Sequence, residues 1–499
     1  MPLTVRPQAT QEGHDIAVAA RRVLCSHAGH MSDAIHDLGL VEVSQRIRHR
    51  AVTSEAVTVA LLERIARLDP SLHAFVQVLP DSAVAAAREA DREIGAGQWR
   101  GPLHGVPLGI KDLLHVRDVP TTAGMPLLRG LRAPADAEVV RKLREAGAVL
   151  LGKLHMSEGG TAEHHPHFPR PANPWSAAHH PGFSSSGSAI AAAAGLCFGA
   201  IGTDTAGSIC VPSAANGVCG IKPTRGRVSR RGVVPVAASL DTVGPMARSV
   251  ADAAAILQVI AGYDPQEPTS LTAPVPDYCA DISRGVRGLV LGFDRRLATD
   301  GVIPEVAAGI VHAVDVFQRL GVEVREITLP DLDAISDAIR PLLVMEIAAA
   351  HAAHFPRYAA QYGAGLRSML EKARYPPLQV AGAYQAQKRC GGELRAALAA
   401  ADFVILPALS ALIPTWDEFE ALNRHRASLG RRLLRFTTPF NVAGLPTLTL
   451  PCAWTDSNLP VGMQLAAGAL GESILCRAGA AFQQVTGFHR RRPTLGITG

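Results

Sequence analysis

The chain has 499 residues, of which 47 % are hydrophobic and 19 % are charged, a balance typical of a folded globular protein and not of a disordered one. Its 49 basic and 44 acidic residues give a net charge of +5 without long runs of like charge, so the charge pattern does not favour a nucleic-acid partner. No apolar stretch is long enough to cross a membrane and no apolar signal segment opens the chain, so we expect a cytoplasmic protein without a membrane span.

Eight cysteines lie far apart along the sequence, and none of them forms a CxxC pair. Cysteine pairs at short spacing are typical of zinc sites, and dense cysteines are typical of small secreted domains. We therefore expect reduced, mostly buried thiols and no metal site built on them.

The chain opens with 30 residues that carry no firm periodic pattern, and we expect an N-terminal extension there whose order the sequence leaves open. A helix is predicted from Ser54, where apolar residues recur every three or four positions until Asp69-Pro70 ends the pattern. Helices near 81–95 and 136–146 follow, and a glycine separates the second of them from the apolar strand pattern "AVLLG".

The same alternation of helix, glycine and buried strand returns along the chain, at residues 188–203, 249–262 and 304–328, and a further strand is predicted at 402–406. This alternation is typical of a layered α/β protein. Because no linker rich in proline, serine or charge interrupts it, we expect one large domain over residues 31–499, with a catalytic core at about 100–260. Residues 330–435 are mostly helical in pattern and are predicted to form a cap or a pocket wall.

A lysine follows an apolar strand pattern in "GVPLGIKDLL", where Lys111 directly follows "VPLGI". Burial disfavours the ammonium form, so a lysine in this position can become a base near neutral pH. Taken alone, the pattern also fits an ordinary structural lysine paired with Asp112.

Two hydroxyl-rich loops stand in stretches of small residues, "GFSSSGS" at 182–188 and "GTDTAGSI" at 202–209. Small residues before Ser208 allow backbone N–H groups to converge on one point, as an oxyanion requires. Each serine considered alone also fits an ordinary turn residue.

Taken together, these loops and several further motifs resemble the amidase signature family. The resemblance covers roughly residues 35–495 and depends on "GIKDL" at 109–113, "NPW" at 173–175, "GFSSSGSA" at 182–189, "GTDTAGSI" at 202–209, "GVCGIKPTRGRVSRRGVVPVAASLDTVGPMARS" at 217–249, "PFNVAGLPTLTLP" at 439–451 and "LPVGMQL" at 459–465. It implies a single three-layer α/β/α domain with a central mixed β-sheet.

The family resemblance also implies a catalytic triad. Ser208 would be the nucleophile and Lys111 the base, while Ser184 would pass protons between them from a cis peptide bond with Phe183. Ser185 and Asp204 would support this triad. The oxyanion would be held by the backbone N–H groups of Thr205, Ala206, Gly207 and Ser208.

The implied activity is hydrolysis of an amide, or of a carbamate or ester, through an acyl-enzyme and without a metal or organic cofactor. The expected partner is a small-molecule amide or carbamate, and a homodimer is left open. One alternative is the glutaminase subunit of a tRNA-dependent amidotransferase. An alternative of another class is an inactive binding or scaffold protein with the same fold.

The sequence departs from the usual family pattern beside the nucleophile, where Ala206 replaces a glycine, Cys210 an arginine and Phe183 a glycine. Because no arginine stands in the catalytic motif around Ser208, we expect a substrate that is neutral near the scissile bond and an apolar entrance to the pocket. The candidate pocket residues are Phe183, Met156, His179 and Cys210.

The histidine-rich stretch "EHHPHF" at 163–168 could be interpreted as a metal site, but Pro166 breaks the i, i+4 helical spacing that a zinc-hydrolase motif requires. We therefore expect this loop to line the mouth of the pocket.

Overall fold

The fold is described by a computed structural model that covers residues 35–161, 163–424 and 426–495. The N-terminal extension predicted at residues 1–30 lies outside the described residues. The predicted domain boundaries stay a prediction, whereas the α/β architecture is observed directly.

A mixed β-sheet runs through the described part of the chain in the order β1-β3-β2-β4-β6-β5-β10-β11-β9-β7-β8. Its eleven strands are β1 Phe75–Val78, β2 Pro107–Lys111, β3 Val149–Leu154, β4 Gly199–Asp204, β5 Cys219–Lys222, β6 Thr242–Ala247, β7 Val290–Phe293, β8 Glu323–Glu326, β9 Phe403–Pro407, β10 Thr447–Trp454 and β11 Pro460–Ala467. Strand β2 is parallel to both β3 and β4, and β7 is parallel to both β8 and β9, while the other neighbours are antiparallel.

Helices pack on both faces of this sheet, which gives the three-layer α/β/α arrangement. Those within the described residues are α1 Leu40–Arg48, α2 Ser54–Leu72, α3 Pro80–Gly95, α4 Glu138–Glu145, α5 Ser186–Ala193, α6 Cys210–Asn216, α7 Val250–Ile260, α8 Tyr278–Asp281, α9 Arg295–Thr299, α10 Pro304–Arg319, α11 Leu332–Ala338, α12 Arg340–His351, α13 Ala364–Glu371, α14 Pro377–Leu398, α15 Trp416–Arg424, α16 Arg426–Leu433, α17 Thr438–Ala443 and α18 Glu472–Thr486. The predicted helices near 81–95 and 136–146 and the predicted strand at 402–406 are confirmed as α3, α4 and β9.

Helix α2 begins at Ser54 as predicted, but it continues beyond its predicted end. Its N-cap is Thr53, whose hydroxyl accepts a hydrogen bond from the N–H of Ala56, and it continues past Pro70 to Leu72. A proline in the last turn removes only one backbone donor, and His73 then ends the helix in the left-handed conformation.

Residues 330–435 contain helices α11 to α16 and strand β9, so this segment is mostly helical. Several of these helices contribute to the wall of the cavity described below. Within the described ranges, no helix combines the length and apolarity needed to cross a lipid bilayer.

The sheet order explains where the functional loops meet. Strands β2 and β4 are parallel neighbours, paired through Leu108 with Gly199 and Ile110 with Ile201, so their carboxyl ends lie at the same edge of the sheet. Strand β2 ends at Lys111, and the loop that carries Ser208 begins where β4 ends. Lys111 and the loop of Ser208, which are almost a hundred positions apart in sequence, are thereby brought to the same edge of the sheet.

Candidate active site

Lys111 is completely buried at the end of β2, and its ammonium group contacts three hydroxyl groups. Its Nζ lies 2.7 Å from the Oγ of Ser184, 2.9 Å from the Oγ of Ser185 and 2.7 Å from the Oγ1 of Thr203. The three donors of a lysine ammonium match these three acceptors. Thr203 was not among the residues singled out from the sequence.

Burial lowers the pKa of Lys111 from 10.5 to about 7, although the carboxylates of Asp204 and Asp241 oppose the shift. A substantial fraction of the side chain is then a neutral amine near neutral pH. A neutral amine can accept a proton from a hydroxyl group, which an ammonium cannot.

Lys111 is not paired with Asp112, which excludes the ordinary structural interpretation of this lysine. Asp112 instead forms a buried ion pair with Lys153, whose Nζ lies 2.7 Å from its Oδ1. Lys153 belongs to β3, the other neighbour of β2. Among the described residues, no carboxylate therefore contacts Lys111 directly, and its Nζ contacts hydroxyl groups instead.

The serine loop at 184–186 leads directly into helix α5, where Gly187 allows a close approach to the backbone of a neighbouring segment. A Cβ at Gly187 would overlap the backbone of Ala74 and His155, so only glycine allows the loop to approach β3 this closely. The resemblance implied a cis peptide bond between Phe183 and Ser184, but within the described residues the cis bond is Phe355–Pro356. The expectation is corrected: with this bond trans, Ser184 already reaches Lys111.

The loop at 205–209, which carries the candidate nucleophile Ser208, is shaped by the carboxylate of Asp204 at the end of β4. Its Oδ1 accepts a hydrogen bond from the N–H of Gly207 at 2.6 Å, and its Oδ2 accepts one from the N–H of Ile209 at 2.7 Å. The side-chain amide of Asn441 also donates to Oδ1, at 2.8 Å. Asp204 therefore holds the backbone on both sides of Ser208.

These contacts correct the expected oxyanion site. The N–H of Gly207 is already used by Asp204, whereas the N–H groups of Thr205, Ala206 and Ser208 donate to no acceptor among the described residues. Three of the four expected donors are thus free to hold an oxyanion. The left-handed backbone in this loop belongs to Gly207, with φ +142°, and Ala206 has an ordinary negative φ.

Residues from distant parts of the chain anchor the same loop, and sequence reasoning did not identify them. Thr205 donates its hydroxyl to Asp241 at 2.6 Å. The carbonyl of Ala206 accepts hydrogen bonds from the hydroxyls of Thr437 at 2.7 Å and Thr438 at 3.1 Å. Asp241 and Thr438 lie within the stretches "SLDTVGP" and "TPFN", but nothing in their spacing indicates these contacts.

Ser208 is 8 % exposed and faces a cavity of about 440 Å³, together with Phe183, Thr205 and Ala206. Within the described residues its Oγ makes no hydrogen bond, so the contact with Ser184 that a proton relay needs is not formed in this state. Catalytic hydrogen bonds are often longer in a site without substrate.

Of the four candidate pocket residues, Phe183 lines this cavity and the other three do not. Met156 is completely buried in the hydrophobic core. His179 lies in a bridge to Thr415 and contacts the Ser176 hydroxyl at 2.9 Å. Their positions near the catalytic motifs in the sequence do not place these side chains at the cavity, because each of them packs against other residues.

Cys210 is also turned away from the cavity, although it is only two residues from the candidate nucleophile. It is completely buried as the first residue of α6, with its Sγ 3.4 Å from the Oγ1 of Thr447 on β10. Burial raises the pKa of the thiol to about 12, so a thiolate nucleophile is excluded at this position.

The "EHHPHF" loop does not lie at the pocket mouth as expected. His164 packs among the rings of His155, His180 and Trp416, and its Nε2 lies 2.9 Å from the Oγ of Ser186. It therefore supports the serine loop from behind. Among the residues that the structure describes, no three His, Cys, Asp or Glu side chains are grouped as metal ligands.

The expected apolar entrance is corrected as well, because the cavity wall combines apolar and charged side chains. The charged ones are Asp333, Asp337, Arg340, Lys372, Arg431 and Arg435. They come from the helical segment 330–435, whose residue pattern shows that it is helical but not which side chains face inward.

Comparisons with known proteins agree with this geometry. The Amidase family model matches residues 56–476. The putative amidase AmiD of Mycobacterium tuberculosis (strain ATCC 25618 / H37Rv) is 43% identical over 463 residues, which are 92% of this chain and 97% of that protein. A glutamyl-tRNA(Gln) amidotransferase subunit of Myxococcus xanthus (strain DK1622) is 38% identical over 492 residues, with 92% and 99% covered.

Among solved structures, the native peptide amidase of Stenotrophomonas maltophilia superposes with a TM-score of 0.79 at 34% identity, over 92% of this chain and 98% of that one. Both the family match and the relatives span most of the sequence, including every loop of the site. The chain therefore belongs to the amidase signature family and is an amidase, a hydrolase of carbon–nitrogen bonds other than peptide bonds.

Proposed function

We propose that the chain is a stand-alone serine amidase in which Ser208 attacks the substrate carbonyl and Lys111 is the base, with Ser184 between them. The observation that carries this proposal is the buried amine of Lys111, which has a pKa near 7 and lies 2.7 Å from the Oγ of Ser184. Such a group can remove a proton at neutral pH without a metal or an organic cofactor.

The first half of the reaction forms an acyl-enzyme. Neutral Lys111 takes the proton of Ser184, Ser184 takes the proton of Ser208, and the Oγ of Ser208 bonds to the carbonyl carbon. The proton returns through Ser184 to the leaving nitrogen as the carbon–nitrogen bond breaks, which releases ammonia or an amine. Water then attacks the ester of Ser208 by the same proton path and releases the acid.

The oxyanion of each tetrahedral intermediate would be held by the N–H groups of Thr205, Ala206 and Ser208. Their position is supported by the Asp204 and Asp241 carboxylates and by the threonine hydroxyls that hold the carbonyl of Ala206. Removing one preorganised donor of this kind typically costs about 3 to 4 kcal/mol of transition-state stabilisation.

Two measurements test this assignment together. A fluorophosphonate probe should label the protein at Ser208, and a panel of aryl amides, alkyl amides, esters and carbamates should include substrates whose hydrolysis depends on Ser208. Labelling at another residue, or turnover that persists in Ser208→Ala, would contradict the assigned nucleophile.

The alternative of a glutaminase subunit has support in the 38% identical amidotransferase relative, but the identity to the putative amidase is higher. Hydrolysis of glutamine, with and without candidate partner proteins, separates the two functions. The inactive-scaffold alternative is set aside, since the chain is an amidase. A carbamate substrate, a homodimer and a cytoplasmic location stay predictions.

A further inference from the structure

The cavity in front of Ser208 carries more positive than negative charge. Four cations and two carboxylates lie among its described lining residues, and the rest of the wall is apolar or neutral. Apolar side chains of Phe183, Leu343 and Ile347 share this wall. A substrate that fills the cavity therefore contacts both apolar surface and charge.

Both carboxylates of the wall are already paired. Asp337 Oδ1 lies 2.7 Å from the Nη2 of Arg340, and Asp333 Oδ2 lies 3.3 Å from the Nε of Arg435. Each pair joins side chains that both line the cavity, so two of the four cations are neutralised locally.

The two other cations, Lys372 and Arg431, have no carboxylate within 4 Å among the described residues, and their side chains make no hydrogen bond there. Lys372 follows helix α13 and Arg431 stands in the last turn of α16, so the two charges are supplied by separate elements. Both are exposed to solvent, as expected at the opening of a cavity.

The position of Arg431 relative to Ser208 follows from a contact made by Leu434. Leu434 lies against Gly207, the neighbour of Ser208, and Arg431 precedes Leu434 by three residues, about one helical turn. The groups that surround Ser208 on this side, Phe183, Ala206 and Leu434, carry no charge. Lys372 and Arg431 are exposed whereas Ser208 is almost buried, so the two unpaired cations lie on the solvent side of the cavity.

We infer that the cavity selects amides that have an apolar body and carry an anionic group at the end remote from the scissile bond. A carboxylate at that end meets Lys372 and Arg431, whereas a carboxylate beside the scissile bond would be placed among uncharged groups and lose hydration without a partner. This inference rests on the proposed function, because it takes Ser208 as the point of attack.

The expected size of the effect is modest, because exposed cations act through solvent. Each contributes little as a fixed ion pair, but together they raise the rate at which an anionic substrate is captured, and salt weakens this attraction. We expect roughly a tenfold preference in kcat/KM at low ionic strength.

The test uses three amides: 4-(4-carboxyphenyl)butanamide, its neutral methyl ester, and glutamine, whose carboxylate is close to the amide. The methyl ester is scored by ammonia release, so that ester cleavage is not counted. Wild type is compared with the double variant Lys372→Ala/Arg431→Ala. The control is Arg374→Ala/Arg424→Ala, which removes two exposed charges from neighbouring positions that do not line the cavity.

The inference predicts that wild type prefers the distal carboxylate over the ester and over glutamine. The preference should disappear in Lys372→Ala/Arg431→Ala through a higher KM, persist in the control, and shrink as salt is added. Equal kcat/KM for acid and ester in wild type, or a preference that the cavity variant retains, would overturn it.

Failure of this inference is distinguishable from failure of the proposed function. Ser208-dependent hydrolysis of the neutral ester amide would still support the serine mechanism if the charge preference were absent. An equal loss of activity on all three amides in Lys372→Ala/Arg431→Ala would also overturn the inference, because it would show that the two cations support the folded structure and do not select the substrate.

Discussion

Lys111 and Ser184 form a 2.7 Å contact between an amine and a hydroxyl group that are both withdrawn from solvent. The amine is the only group in direct contact with that hydroxyl, among the described residues, whose charge changes near neutral pH. The state of this pair should therefore be visible in the pH dependence of the enzyme.

We expect kcat/KM for a neutral amide to rise with pH along a single limb with an apparent pKa near 7, and to level off above it. The reason is that only the neutral form of Lys111 can accept the proton, and burial lowers its pKa to about 7. A pH–rate profile between about pH 5 and 9 measures the limb. A maximum in the acidic range without an alkaline rise would contradict a lysine base.

The same pKa makes a prediction about stability. The pKa of Lys111 is 10.5 in the unfolded chain and about 7 in the fold, so between these values the unfolded chain holds the additional proton. The contribution of Lys111 to the free energy of unfolding therefore rises as pH increases from about 7 to 10.5. Below about pH 7, Lys111 is charged in the folded protein as well, and the full cost of burying this charge lowers the stability.

Replacing Lys111 by methionine should remove this cost together with the activity. Relative to wild type, Lys111→Met should be most stable near about pH 6, and its advantage should shrink towards about pH 9. Urea unfolding at several pH values measures the trend. A stability difference that does not change with pH would show that burial of the charge is not the cause.

Lys153→Met is the matched control for this experiment. Lys153 is an equally buried lysine on the adjacent strand, but it is paired with Asp112 at 2.7 Å. Its removal leaves a buried carboxylate without a partner, so we expect Lys153→Met to be less stable than wild type by about 3 to 5 kcal/mol near about pH 9. This deficit should shrink at lower pH as Asp112 takes up a proton, but the variant should never become more stable than wild type, unlike Lys111→Met.

Ser208→Ala should reduce kcat by roughly a thousandfold or more while leaving the fold intact, because only the nucleophile is lost. Thermal unfolding and steady-state kinetics on one amide measure both. Ser71→Ala, at an exposed position of α2, is the control and should keep full activity. More than a tenth of wild-type turnover in Ser208→Ala would remove Ser208 from its assigned role.

Ala206→Gly should lower stability by about 0.5 to 1 kcal/mol without raising the rate. Ala206 has a negative φ, so glycine relieves no strain and only adds freedom to the unfolded chain and the loop. Denaturant midpoints and kcat measure the two effects. A gain in stability would mean that the alanine is strained in solution.

Gly207→Ala should be far more damaging than the exchange at its neighbour. Gly207 has φ +142°, and a Cβ there would overlap the Oγ1 of Thr437, which holds the carbonyl of Ala206. We expect a loss of at least about tenfold in kcat and of about 1 to 3 kcal/mol in stability. Gly382→Ala is the control, since a Cβ at this position in α14 meets no atom and should be neutral or stabilising.

The parts of the site that follow strand ends could be predicted from the sequence. An apolar run before Lys111 and another before Asp204 indicate buried strands, and buried parallel strands place their carboxyl-terminal loops side by side. The structure brings Lys111 into contact with Ser184 and Ser185, and the catalytic roles of these residues stay a prediction.

The partners that complete the site could not be predicted, because they depend on the order of the strands and not on local pattern. Asn441 reaches Asp204 across 237 positions, and Asp241 reaches Thr205 because β6 pairs with β4. For the same reason, closeness in sequence misplaced Cys210, which turns towards β10. A residue pattern identifies a helix or a strand, but it does not identify the neighbour that a side chain will meet.

The hydrogen bonds from Thr437 and Thr438 to the carbonyl of Ala206 have a consequence for synthesis of the protein. A growing chain that has passed residue 260 already contains Lys111, Ser184 and Ser208, but Thr437, Thr438 and Asn441, which complete the anchoring of the loop around Ser208, have not yet been translated. A nascent chain released before residue 437 should therefore be inert towards a serine-directed probe. We expect catalytic competence to be acquired late, once most of the polypeptide has been translated, so that an incomplete chain does not act as a hydrolase.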